Sequence, residues 1–292
     1  MRPNMPGYCR RRMPREISCS VSESVWRAIR ELSLREDRSF SEVVDALLSE
    51  ALDLERHSIF QVSTSSALVK GVFGGTATVG DLRRHGDFGL GTFAELDGEM
   101  ILIDGECFRA TTGGELSVAG PDREVPFAVV TRFFPDISEG IRANVDLDAL
   151  TERIDEMRPS QNLFVGIRID GHFEEVIMRA ICRAFPGESL VDATEHQSEF
   201  TVESIEGTLV GLWSPDYTRS VSVPGYHLHF ISTDRTVGGH VLGLRSSELS
   251  VDLQTESDLH LALPETVEFL TADLAGDHRE ELSKAETRPS KS

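Results

Sequence analysis

Pro224-Gly225-Tyr226-His227-Leu228-His229-Phe230-Ile231 is answered, past a short loop, by Gly238-Gly239-His240-Val241. Successive side chains of a strand point to opposite faces, so His227 and His229 share one face while Tyr226, Leu228 and Phe230 share the other. The loop between them lets a second strand fold back antiparallel, which brings His240 beside the first two imidazoles. Three neutral imidazole nitrogens with a fourth position left open form the donor set of catalytic zinc. The plainer alternative is a polar sheet face whose histidines bind carboxylates. The other six histidines (His57, His85, His172, His196, His260 and His278) show no comparable spacing and read as surface residues.

Working outward, short apolar runs of strand length fill the region from residue 58 onward. Strands are predicted over residues 163–169, 175–180, 207–213, 225–231 and 239–244, with Asp170-Gly171 as a turn. Further upstream, strands are predicted over 90–96, 100–103, 106–110 and 127–134, and Asp97-Gly98 and Asp104-Gly105 carry the turn signal of hairpins. Helices are predicted over 66–71, from Thr78 to Gly86, over 145–157 (Leu147, Leu150 and Ile154 on one face), and over 265–286. No internal repeat or low-complexity segment is present. The pattern predicts an α/β (α+β) protein with two β-rich subdomains, 58–160 and 161–292, divided near Pro159-Ser160-Gln161.

The chain of 292 residues has 29 Lys+Arg against 49 Asp+Glu, a formal charge of −20. Residues 1–57 carry 10 basic and 10 acidic side chains, so the whole excess lies in 58–292. Nucleic acid is therefore excluded as a partner of the large part, and any DNA contact is confined to residues 1–57. The acidic surface itself reads as solubility or adaptation to salt. No apolar run reaches the roughly 18 residues of a membrane span, so no membrane partner is expected. No apolar segment follows Arg10-Arg11-Arg12, so a secretory signal is not expected. Cys9, Cys19, Cys107 and Cys182 lack metal or disulfide spacing, and a reducing, cytoplasmic location is expected.

Residues 15–21 alternate polar and apolar side chains, as a half-buried strand does. Ser22 then caps a helix carrying Val25, Trp26, Ile29 and Leu32, and Ser39 or Ser41 caps a second carrying Val43, Val44, Leu47, Leu48 and Ala51. One strand and two helices cannot bury these stripes alone, and a homodimer that pairs strand with strand resolves this. Through Ser22-Glu23-Ser24-Val25 and Arg38-Ser39-Phe40-Ser41-Glu42 the segment resembles ribbon-helix-helix proteins. That resemblance implies a paired ribbon presenting Glu16, Ser18 and Ser20 to DNA, with Arg10, Arg11, Arg12 and Arg15 on phosphates. A carboxylate at the first of these positions departs from the pattern. A dimerisation module without DNA binding is the alternative.

The large part resembles the α-acetolactate decarboxylase family. The resemblance rests on Phe60-Gln-Val-Ser-Thr64, His85-Gly-Asp-Phe-Gly-Leu-Gly-Thr-Phe93, Leu96-Asp-Gly-Glu99 and Pro126-Phe-Ala-Val-Val-Thr131. It continues through Ile167-Arg-Ile-Asp-Gly171, Glu206-Gly-Thr-Leu-Val-Gly211, Pro224–Ile231 and Gly238–Val241, all in family order. It implies zinc-dependent conversion of 2-acetolactate to acetoin and CO2, with a zinc site near the junction of the two subdomains and His227, His229 and His240 as metal ligands. It further implies Glu99 and Glu286 as active-site acids and Arg179 as an active-site arginine orienting the substrate carboxylate. By spacing alone Glu99 and Glu286 read as solvated carboxylates. Two departures are Met178 before the arginine and Thr287 after the terminal glutamate. The competing function is a transcription regulator whose decarboxylase-like part senses a metabolite, or a protein that does both.

Overall fold

The computed structural model describes residues 17–36, 38–51, 57–185, 187–276 and 278–286, without the side chains of Glu50, Arg279, Ser283 and Glu286. The chain divides into two compact units, residues 1–56 and 57–292. No helix among the described residues is long and apolar enough to cross a membrane.

In the first unit, helices Glu23–Glu36 and Phe40–Ala51 start at serines. Ser22 Oγ accepts the Val25 amide at 3.4 Å. Ser39 Oγ accepts the Glu42 amide at 3.2 Å, and the Glu42 carboxylate accepts the Ser39 amide at 2.7 Å, which closes a capping box. Ile29 and Val43 are buried, but Val25, Trp26, Leu34, Phe40, Leu47 and Leu48 are exposed. Of the ribbon predicted at 15–21, Arg15 and Glu16 lie outside the described residues, as do Arg10, Arg11 and Arg12. Residues 17–22 form no strand. A ribbon needs a partner for its backbone hydrogen bonds, and the described part of one chain offers none.

The second unit is built on two large sheets. A seven-stranded mixed sheet runs, in spatial order, Asp258–Ala262, Ser58–Val62, Phe127–Thr131, Phe88–Thr92, Glu99–Ile103, Glu106–Ala110 and Leu116–Val118. Its first pair is parallel and the remaining pairs are antiparallel. The other sheet is antiparallel and runs Val145–Asp146, Gly238–Glu256, Phe164–Ala180, Ser198–Ser214 and Gly225–Ser232, with Ile137–Ile141 added on Gly238–Glu256. An additional pairing of Gly225–Ser232 with Gly238–Glu256 closes the four long strands into a ring. Both sheets cross the division expected at 160/161. Strand Asp258–Ala262 joins the first sheet, and Ile137–Ile141 and Val145–Asp146 join the second.

The sheets meet through Phe88, Ile101, Ile103 and Phe108 of one and Val210 and Ile231 of the other, all buried. Each such side chain contributes about 1.5–3 kcal/mol by leaving water. Local signals explain much of the rest. Asp104 (φ 55°) and Gly105 (φ 78°) make the expected tight turn between Glu99–Ile103 and Glu106–Ala110. Thr78 and Asp81 form a capping box at helix Val79–His85, and Asp146 caps helix Leu147–Met157, whose Leu150 and Ile154 are buried.

Two expectations need correction. Asp170-Gly171 is not a turn but lies inside the continuous strand Phe164–Ala180, which has a neighbour on each side. Its glycine answers to close packing, because a Cβ at 171 would come 2.6 Å from the Glu248 carbonyl oxygen. The helix expected over 265–286 is two helices, Val267–Thr271 and Arg279–Glu286. Between them the Asp273 carboxylate accepts the Ala275 amide at 3.3 Å, a local bond that competes with helix continuation.

Candidate active site

Three neighbouring strands carry the histidines and the arginine. In register, His240 stands opposite His229 on one side and opposite Arg179 on the other. His227 lies two residues along its strand from His229, on the same face. The imidazole ring centroids are 5.0 Å (His227–His229), 5.1 Å (His227–His240) and 5.4 Å (His229–His240) apart. One nitrogen from each ring lies within 4.8 Å of the others, and all three residues are buried. The sequence reading of a hairpin that gathers these histidines therefore matches the geometry.

The other sheet supplies the carboxylate. Glu99 opens strand Glu99–Ile103 and is 5% exposed. Its Oε1 is 3.3 Å from Arg179 Nη1, and its Oε2 is 3.6 Å from His229 Nε2. Arg179 is itself buried, so the ion pair operates with little solvent screening. The next residue, Met100, holds His229: its carbonyl oxygen is 2.9 Å from His229 Nδ1. A carbonyl only accepts, so in the neutral ring the proton sits on Nδ1 and the Nε2 lone pair is free for a metal. His229 Nε2 has no hydrogen-bond partner among the described residues.

Charge in this pocket favours uncharged imidazoles. Burial pushes His227 down to about 3, and the Arg179 guanidinium acts in the same direction. Burial likewise pushes His229 down to about 3, against the opposing pull of Glu99. A neutral imidazole is the ligating form. Three buried imidazoles at this mutual distance, one with its tautomer fixed by a backbone carbonyl, fit a divalent metal with an open position.

Of the residues singled out from sequence, His227, His229, His240, Glu99 and Arg179 converge in one cluster. Glu286 is the last residue of helix Arg279–Glu286, and its side chain lies outside the described residues. That helix packs through Leu282 and Ala285 with Leu190 and Ala193. Two contributors escaped sequence reading. Thr92, opposite Glu99 in register, is buried and donates its hydroxyl to the Gly98 carbonyl at 3.0 Å. It lies inside the stretch His85–Phe93, where a hydroxyl amid glycines and aromatics was the available signal. The Met100 carbonyl had none, since every residue carries one.

A sequence profile described as alpha-acetolactate decarboxylase matches residues 59–276. The alpha-acetolactate decarboxylase of Methylococcus capsulatus is 41% identical over 233 residues, covering 80% of this chain and 90% of that protein. That of Bacillus licheniformis is 39% identical over 224 residues, covering 76% of this chain and 88% of that protein. The crystal structure of alpha-acetolactate decarboxylase from Bacillus subtilis strain 168 superposes with a TM-score of 0.77 at 35% identity, covering 79% of this chain and all of that one. Agreement of profile, relatives and fold over the unit that carries the histidine cluster shows that the chain belongs to the alpha-acetolactate decarboxylase family of carboxy-lyases.

Proposed function

We propose that this protein converts 2-acetolactate to acetoin and CO2 with a zinc ion held by His227, His229 and His240. The observation that carries the reading is the buried cluster in which three imidazoles stand beside Arg179 on one sheet and Glu99 reaches Arg179 and His229 from the other. When bound, the metal supplies Lewis-acid polarisation of the substrate's keto oxygen, which lowers the cost of the electron pair left as CO2 departs. Arg179 holds the substrate carboxylate through paired hydrogen bonds, for which its planar fork of donors is suited. Burial of Arg179 and Glu99 keeps water from competing for these contacts. A carboxylate that takes up a proton from solvent then delivers it to the carbon that lost CO2. Glu99 is assigned this role because it faces the imidazoles, and Glu286 is assigned as the second acid on the family resemblance.

The test is release of acetoin and CO2 from racemic 2-acetolactate, with metal analysis of the same protein. Chelation, His227→Ala and His240→Ala should each remove the metal and abolish turnover. Unchanged turnover in either variant would sink the zinc mechanism. The regulator reading is not favoured, because the family profile and the relatives that cover residues 59–276 are those of the decarboxylase.

We further propose that residues 1–57 form a dimerisation arm occupied by a second copy of this chain, and that the protein is a cytoplasmic homodimer. Support comes from the exposed Val25, Trp26, Leu34, Phe40, Leu47 and Leu48 on two short helices, in a segment whose charges cancel. Free thiols at Cys19, Cys107 and Cys182 fit a reducing compartment. Light scattering on the full chain and on residues 57–292 should show two subunits per particle falling to one with removal of the arm. An unchanged subunit number, or specific capture of upstream DNA by the full chain at physiological salt, would overturn a purely dimerising role.

A further inference from the structure

We infer that Asp97 is a positioning residue for Glu99, an inference that rests on the role assigned to Glu99 above. The turn leading into Glu99 is unusual. Glu95 (φ 62°) and Leu96 (φ 55°) are consecutive non-glycine residues in the left-handed region, and Gly98 (φ 99°) follows two residues after Leu96. Leucine gains nothing in that region from a local side-chain hydrogen bond, so such a backbone persists only where its surroundings over-determine it.

Asp97 supplies that determination. Its two carboxylate oxygens are taken by different guanidinium groups, Oδ1 by Arg109 and Oδ2 by Arg123. Its backbone carbonyl accepts Arg109 Nε at 2.6 Å. Arg109 lies on the strand Glu106–Ala110, which pairs with the strand that begins at Glu99. Arg123 comes from the segment preceding Glu124–Val125, and its guanidinium sits 5.2 Å from the ring centroid of the buried Phe93. Asp97 thus ties the turn to two elements at once. A Cβ on Gly98 would come 2.4 Å from the Ala110 carbonyl oxygen, so only glycine lets the turn lie this close to that strand. Backbone bonds secure the other end: the Glu95 amide donates to the Phe73 carbonyl at 2.9 Å, and the Ala184 amide donates to the Glu95 carbonyl at 2.8 Å. The turn therefore sets where strand Glu99–Ile103 starts and how the Glu99 carboxylate meets Arg179 and His229.

Asp97 touches neither of those residues among its described hydrogen bonds, so its effect passes through the backbone. Asp97→Asn keeps the shape and removes the charge that both arginines share. It should lower kcat about tenfold while KM and metal content stay within twofold of the parent, since the carboxylate is displaced but the substrate's anchor is not. The melting temperature is measured on the same samples. Arg109→Gln and the Asp97→Asn/Arg109→Gln double variant complete a cycle, in which the double variant should be no slower than the worse single one. A kcat for Asp97→Asn within twofold of the parent, a loss that appears in KM alone, or fully additive losses in the cycle would each overturn the inference. Glu99→Gln is assayed in parallel: if it retains full activity the role of Glu99 fails, whereas a slow Glu99→Gln beside a normal Asp97→Asn rejects only the part given to Asp97.

Discussion

Glu256→Gln removes a carboxyl group that is fully buried at the end of strand Gly238–Glu256, away from the histidine cluster. Its Oε1 accepts the Thr131 hydroxyl at 2.6 Å and the Gln254 amide at 2.9 Å, while Oε2 has no partner among the described residues. Burial pushes this carboxyl up to about 8 from an ordinary 4.5, with the bonds from Thr131 and Gln254 opposing and the charges of Asp136 and Asp258 adding to the rise. His57 also lies in this region, with Nδ1 3.8 Å from Asp136. Below pH 4.5 both folded and unfolded chains hold the proton. Between 4.5 and about 8 the unfolded chain gives it up and the folded one keeps it, so stability falls as pH rises, by about 1.4 kcal/mol per unit. The whole window amounts to about 5 kcal/mol, and the interval from pH 5 to pH 8 to about 4 kcal/mol. The glutamine carbonyl takes the place of Oε1 and keeps both donors, but does not ionise. Urea unfolding of parent and variant at pH 5, 6.5 and 8 measures the effect, since all other groups titrate alike in both chains. The stability of the variant relative to the parent should climb by about 4 kcal/mol across that range. A difference that is flat with pH, or that shrinks as pH rises, would refute the assignment of a buried protonated carboxyl.

Two further outcomes follow from packing and charge. Gly171→Ala puts a methyl 2.6 Å from the Glu248 carbonyl oxygen and 2.8 Å from Leu249 Cδ2; it should cost about 2–3 kcal/mol in urea unfolding, and a cost under about 0.5 kcal/mol would mean that the strands separate freely there. Arg179→Lys keeps the charge beside Glu99 but not the paired donors, and should lower kcat/KM about a hundredfold in an acetoin assay; a loss below threefold would remove substrate binding from this residue.

The histidine part of the site was legible because it is local. His227, His229 and His240 fall within one hairpin, so the period of a strand and the length of a loop were enough to bring them together. Glu99 and Arg179 were not legible by spacing, because 49 acidic side chains offered no way to choose one. They emerged from family resemblance, and the structure joins them across 80 residues of sequence at 3.3 Å. Turn chemistry was legible where the chain reverses, as at Asp104-Gly105, and misleading where glycine serves packing, as at Gly171. Strand order was not legible at all. The return of Asp258–Ala262 to pair parallel with Ser58–Val62 depends on which edges remain open once both sheets exist.

The hydrogen bond from His229 to the Met100 carbonyl has a consequence for how the protein matures. The three imidazoles are neighbours as soon as a single hairpin closes, an event on the scale of about 1–10 μs. The carboxylate and the carbonyl that fixes the ring's tautomer arrive from a segment 129 residues earlier in the chain, and only when the two sheets dock. The histidine arrangement and the proton placement on His229 therefore rest on different parts of the fold. The former depends on one hairpin, whereas the Glu99–Arg179 pair and the proton placement on His229 depend on both sheets. A change that loosens the contact between the sheets should spare the first and disturb the second.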